Sequence, residues 1–172
     1  MTAQMPVARF SEDRAYRYLL TRRVGFGDSM IQFVMLNPST ADETHDDSTI
    51  KRCVRYANRW GFGWLAITNV SPFRATDPAR LKKRGPEPPD IWDANMENIL
   101  ETAVCADQVV AAWGTAGKWE NRASRVETEL LGFVDLWCLS TNQDGSPGHP
   151  LYLKDGLELK MYKPRSKDGP PW

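Results

Sequence analysis

The chain is poor in the residues that most readily announce a chemistry. It has two histidines, His45 and His149, and three cysteines, Cys53, Cys105 and Cys138, at wide spacing. No pair has zinc-ligand spacing, so a structural zinc site is disfavoured and neither a metal nor a cofactor is expected. Each cysteine lies in an apolar pattern, which suits free buried thiols in a reducing cytosol and sets the expected location as cytoplasmic. No apolar run approaches the ~20 residues of a membrane span, so no membrane partner is expected. The opening stretch, MTAQMPVARFSEDR, lacks the apolar core of a secretory signal. Neither sign of charge is in excess, with 22 Lys plus Arg against 22 Asp plus Glu. A domain that grips nucleic acid non-specifically is usually basic, so any contact with DNA or a nucleotide has to come from a local patch. There is no internal repeat and no domain-splitting linker.

What is present is an ordinary apolar complement, 41% hydrophobic residues, with seven tryptophans. Most of the tryptophans are expected in the core. A length of 172 residues suits one domain, placed at 15–162 between a flexible lead-in (1–14) and a flexible tail (163–172). Residues 16–24 (YRYLLTRRV) and the run after Gly25-Phe26-Gly27-Asp28 read as a hairpin. A helix starts near Asp46 or Asp47, both good N-caps. Ile50, Cys53, Val54, Ala57 and Trp60 fall on its apolar face, with Lys51, Arg52, Arg55 and Arg59 opposite. A short helix starts at Asp77-Pro78, and longer ones span 90–105 and 118–131. Strands are expected at 64–70, 108–113 and 134–139. Strands alternating with helices predict an α/β fold. The expected architecture is a three-layer α/β/α sandwich, with a mainly parallel sheet of about four strands and an N-terminal antiparallel edge hairpin.

In such a sheet the loops after the strands share one edge, where ligands bind. Four polar segments fall there: Asn37-Pro38-Ser39-Thr40-Ala41-Asp42, Asn69-Val70-Ser71-Pro72-Phe73-Arg74, Trp113-Gly114-Thr115-Ala116-Gly117, and His149-Pro150-Leu151 with its lead-in. They offer amides, hydroxyls, an aromatic ring, an Arg and a His, with few carboxylates. An Asn amide has both donors and acceptor and no pKa near neutrality, so it suits a nucleobase edge or an oriented water. Each piece also has a plain structural reading. Asn-Pro and Ser-Pro are common turn formers, His149 can be a loop histidine, and Phe73 can be core. Gly114-x-x-Gly117 before a helix can hold a phosphate, but it lacks the P-loop Lys-Ser/Thr and the dinucleotide pattern. Lys82-Lys83-Arg84 reads as a solvated run. It can also touch phosphates, as can Arg74 and Arg80. Asp42, Asp46 and Asp47 read as helix caps before they read as a weak cation site.

The motifs MLNPSTAD, DDSTIKRC, TNVSPFRATDP, AAWGTAG and GHPLYL, in this order, resemble the domain-of-unknown-function 1643 family over roughly residues 14–162. More distantly, the succession of strand–Asn-Pro loop, strand–Asn, strand–Gly and His-Pro loop resembles the uracil-DNA glycosylase superfamily. That resemblance implies a glycosylase-like fold. It also implies that Asn37 positions an attacking water, Asn69 reads a flipped base, and His149 stabilises charge on the base oxygen. Phe73 would be the stacking ring. The chain departs from that pattern after His-Pro, where Leu151-Tyr152-Leu153 stands instead of a small polar residue.

The expectation is therefore a nucleobase-recognising protein, with Asn37 and His149 as catalytic residues. Pro38, Ser39, Thr40, Asn69, Phe73, Arg74, Trp113 and Gly114 are the substrate-binding candidates. Three functions fit: an N-glycosidic bond hydrolase acting on a modified or deaminated base, a non-catalytic nucleobase- or nucleotide-binding module, and an enzyme of another class acting on a small phosphorylated substrate.

Overall fold

A computed structural model describes residues 8–77 and 79–169. The outer parts of the expected lead-in and tail, and Pro78 at the expected helix start, lie outside the described residues. The described chain runs β1 (Ala8–Phe10), β2 (Arg17–Arg23), β3 (Met30–Met35), α1 (Ser48–Arg59), β4 (Trp64–Asn69), α2 (Ala79–Arg84), α3 (Pro89–Cys105), β5 (Gln108–Ala111), α4 (Arg122–Leu131), β6 (Leu136–Cys138) and β7 (Lys160–Lys163). Two 3₁₀ stretches interrupt it, Thr115–Asn121 and Pro150–Tyr152.

Seven strands make one mixed sheet in the order β1-β2-β4-β3-β5-β6-β7. The inner four, β4, β3, β5 and β6, are parallel. Antiparallel strands flank them, β1 and β2 on one side and β7 on the other. Period-2 alternation sorts β3 between the two faces. Ile31, Phe33 and Met35 pack with Ile50, Cys53, Tyr56 and Ala57 of α1. Val34 packs with Ile99 and Ala103 of α3 and Val126 and Leu130 of α4. Helices therefore cover both faces, and every residue of β3 is buried. Each large apolar side chain so buried contributes roughly 1.5–3 kcal/mol. Gln32 is the polar residue in β3, and its Nε2 donates to Thr68 Oγ1 (2.9 Å) and to the Ile99 carbonyl (3.2 Å), as a buried amide requires.

The structure corrects several expectations. The sheet has seven strands, more than the four and a hairpin read from sequence. β2 and β3 are not a hairpin, because β2 pairs with β4. The connection between them crosses the start of β4. There Val24 N donates to Gly63 O and Gly63 N donates to Ser29 O, both at 2.9 Å. Gly25 and Gly63 permit that crossing: a Cβ on Gly25 would lie 2.6 Å from Phe62 O, and one on Gly63 would collide with Gly27 O. The driving force is burial. A strand apolar on both faces belongs inside the sheet, whereas β2 ends in Arg22-Arg23 and tolerates a place nearer the edge.

β1 forms within the expected lead-in, and β7 begins before the expected tail. The polar, half-exposed β7 (KMYK) carries no apolar alternation to announce it. The helix expected at 118–131 starts only at Arg122, because Glu120 and Asn121 are left-handed (φ 51° and 55°). Cys53 and Cys138 are buried, but Cys105 is exposed at the end of α3. No helix among the described residues is long and apolar enough to cross a membrane.

Candidate functional site

β3 is the topological switch point. α1 leads from it to β4 on one side, while α2 and α3 lead from β4 back past it to β5 on the other. The crevice at the carboxyl ends of β3 and β5 is where such sheets bind ligands. A cleft of about 580 Å³ lies there, lined by Asn37, Ser39, Asp47, Thr76, Trp113, Gly114, Asn142, His149 and neighbours. The size suits a small organic ligand. Three of the four expected segments contribute residues to it, whereas the loop after β4 contributes Ala75 and Thr76, just beyond the expected Asn69–Arg74 segment.

Two side chains in the cleft have their polarity fixed by their partners. Asn37 Nδ2 faces two carbonyls, Pro38 O at 2.9 Å and Ala75 O at 2.8 Å. Both demand a donor, so Oδ1 is the open acceptor. His149 caps the 3₁₀ turn Pro150–Tyr152, and its Nδ1 accepts from Leu151 N at 3.3 Å. The proton therefore resides on Nε2, the remaining donor. Burial pushes the His149 pKa down to about 4, against a smaller opposing pull from Asp47. The imidazole is neutral at physiological pH. Its ring centroid lies 5.4 Å from that of Tyr152, which stands exposed at the rim. Gly114, with φ 71°, lies against the His149 backbone and Cβ: its own Cβ would sit 3.3 Å from His149 Cβ. The left-handed φ and this approach both favour glycine there. Gly114 N also donates to Pro147 O at 3.0 Å, which fixes the His-Pro loop to the end of β5.

Asp47 is the carboxylate in the lining. It caps α1 through Oδ1, which accepts from Ile50 N at 2.9 Å. The neighbouring acids are occupied elsewhere. Asp42 accepts from Thr44 N and His45 N at 2.9 Å, which hold its carboxyl well below the usual range. Asp46 pairs with Arg22 at 2.7 Å. Among the described residues no group of three or more His, Cys, Asp or Glu could hold a metal ion.

The other candidates distribute around this cleft. Ser39 lines both it and an adjoining cavity of about 380 Å³, which also takes in Thr40, Phe73 and Arg74. Pro38 is buried, and its carbonyl also accepts from Ala75 N at 2.9 Å. Phe73 stands edge-on to Tyr16 at 6.0 Å, with the Arg84 guanidinium 4.1 Å over its ring. It is not among the residues lining the Asn37–His149 cleft. Trp113 lines the cleft but is buried, and its ring stands edge-on to Tyr162. Asn69 lines neither cavity: it is buried, and neither amide atom has a hydrogen-bond partner. Its backbone carbonyl accepts from Asn95 Nδ2 at 2.9 Å.

Sequence reasoning passed over Thr76 and Asn142 as cleft residues, and it read Asp47 as a helix cap before a weak cation ligand, not as a substrate-site residue. Asn142 was discoverable from its place in the polar loop before His149. Its Nδ2 donates to Ser146 Oγ at 3.0 Å, within a loop also braced by Asp144 and Lys118.

The fold and cleft define a mixed α/β protein with a switch-point pocket lined by amides and hydroxyls among apolar side chains. Residues 17–151 match the family described as Protein of unknown function (DUF1643), and the chain belongs to that family. No curated protein and no solved structure matches the chain significantly.

Proposed function

We propose that the cleft recognises a nucleobase and that the protein is an N-glycosidic bond hydrolase acting on a modified or deaminated base. The observation that carries this reading is the fixed pair of Asn37 Oδ1 as acceptor and neutral His149 Nε2–H as donor in one switch-point cleft. A base edge needs an acceptor and a donor of settled polarity. The leaving base needs a donor that keeps its proton while negative charge develops opposite it. In the reaction, the bond between C1′ and the base nitrogen breaks and its electron pair leaves with the base, held by His149 Nε2–H. Water adds to C1′, oriented by Asn37, and its proton passes to the Asp47 carboxylate or to solvent. The distant resemblance to uracil-DNA glycosylases supports the same assignment of Asn37 and His149. It also names Asn69 as a base reader, a role that requires its buried amide to become accessible.

A second reading, a non-catalytic nucleobase- or nucleotide-binding module, draws on a specific feature. Asn37, His149 and Asp47 all brace backbone, so each is already a structural residue. Incubation with single- and double-stranded oligonucleotides bearing uracil, hypoxanthine, xanthine or 5-hydroxymethyluracil, followed by alkali, separates the two. Strand breaks that disappear in His149→Ala are the expected result. Ligand binding without strand breaks in the wild type would establish the binding module.

A further inference from the structure

The cavity adjoining the cleft is walled largely by cations. Arg14, Arg74 and Arg80 line it together with Ser39, Thr40 and Thr76, and no carboxylate among the described residues does. Arg14 is committed to Glu43 through two hydrogen bonds of 2.7 and 2.8 Å. Among the described residues the partners of Arg74 are neutral: Nε donates to Ser39 O at 3.4 Å, Nη1 donates to Arg14 O at 3.3 Å, and its guanidinium carbon lies 5.1 Å from the Phe10 ring centroid. Arg80 stands exposed on α2. Buried Arg17 lies within reach as well, attracted by Asp47 and, less strongly, repelled by Arg74. In a chain with no net charge, Arg74 and Arg80 are thus two guanidinium groups without a carboxylate partner among the described residues. An anion would relieve the repulsion, and the planar fork of Arg matches phosphate oxygens.

The position of this cavity gives it a function. Ser39, Ala75 and Thr76 line both it and the cleft, so one molecule can occupy the two. We propose that the arginine-lined cavity is the phosphate subsite of the cleft, and that the ligand is a nucleoside phosphate. The base sits by Asn37 and His149, and the phosphate lies against Arg74 and Arg80. The base half of this assignment rests on the nucleobase reading above, whereas the anion half does not. The phosphate is either the monoester of a free nucleotide or the diester of a strand.

Calorimetric titration of the full chain at low salt tests both halves. The probes are inorganic phosphate, nucleosides bearing the four bases above, their 5′-monophosphates, and short single strands containing the same bases. The proteins are wild type, Arg80→Gln and Arg74→Gln, each checked by circular dichroism. Arg80 is exposed and its substitution leaves packing intact. The expected result is that a 5′-monophosphate binds roughly ten- to hundredfold more tightly than its nucleoside, the scale of charged hydrogen bonds. The advantage should shrink in each variant and fall with added salt. A strand that outbinds the monomer identifies the diester as the source, and the reverse identifies the monoester. If nucleosides bind but phosphate adds nothing, the subsite is wrong and the base reading survives. If inorganic phosphate binds and is lost in Arg80→Gln while no nucleoside binds, the subsite stands and the base reading falls. Phosphate affinity that is unchanged in both variants overturns the proposal.

Discussion

An amide nitrogen facing two carbonyls can be turned only one way, and an imidazole nitrogen facing an N–H can carry no proton. Those two constraints give the cleft its polarity, and they make His149 testable by itself. Its folded pKa of about 4 lies below the ordinary value of 6.5. Between those values the unfolded chain binds a proton that the native chain refuses. Stability therefore rises with pH across that window, by up to about 1.4 kcal/mol per pH unit from this group, and the contribution is lost as pH falls toward 4. Urea midpoints of wild type and His149→Gln at pH 5 and pH 7 should diverge, with the wild type showing the larger loss at pH 5. The same shift predicts that the His149 ring signals in NMR stay unprotonated down to pH 5.5. Asn69 gives the opposite kind of residue. With neither amide atom hydrogen-bonded, its desolvation costs on the order of 1–3 kcal/mol. Asn69→Leu should therefore leave the urea midpoint unchanged or raise it. A clear loss would mean that the amide has a partner in solution. Asn37 was legible as a cleft residue because the end of an apolar run marks where a parallel strand delivers its next residue, whereas His149, far along the polar loop after β6, was legible only from its His-Pro motif. The burial of Asn69 was legible too, since period 2 puts it on the face of Ile67, but a strand-end polar residue invites a surface reading.

At the scale of elements, the sequence shows α1 almost completely, from the Asp47 cap to the apolar stripe that ends at Trp60. It shows β4 and β5 as apolar runs with polar ends. It does not show strand pairing. The loop at 24–29 looks like a hairpin turn because its glycines are turn residues. Gly27 is one, with its left-handed φ, but Gly25 is there for the close crossing of two backbones at the start of β4, and nothing local distinguishes those uses. Gly63→Ala tests that account. Its Cβ would meet a backbone oxygen of the 24–29 loop, which cannot swing away as a side chain can. A loss of roughly 1–3 kcal/mol is expected in urea titration. Gly27→Ala is a weaker control, since its φ of 91° strains any L residue but no atom stands in the way. Equal losses in the two would mean that backbone conformation, and not the crossing, sets the requirement.

Across the whole molecule, the residues least accounted for by pattern are the 19 of the linker between β4 and α3, numbered 70–88. Composition suggests a loose loop, yet this linker carries Ala75 and Thr76 into the cleft and Arg74 and Arg80 into the neighbouring cavity. A buried charge cluster ties it down. Glu87 forms an ion pair with Arg122 at the start of α4 and accepts a hydrogen bond from Ser71 Oγ, while Arg122 Nη2 also donates to Gly85 O at 3.2 Å. Glu87 and Arg122 are 9% and 4% exposed, so each needs the other. Removing one partner strands a buried charge, at a cost of about 3–5 kcal/mol, whereas replacing both with apolar residues is often neutral. Arg122→Met should therefore destabilise strongly, and adding Glu87→Leu should recover most of the loss. A double-mutant cycle in urea measures that coupling. If the cluster also positions the linker, the recovered double variant will bind cleft ligands more weakly than wild type despite its restored stability. Wild-type affinity in the double variant would instead mean that the ion pair supports the fold alone, and that residues 71–76 hold the cleft wall through their backbone bonds to Leu36, Pro38 and Ala15.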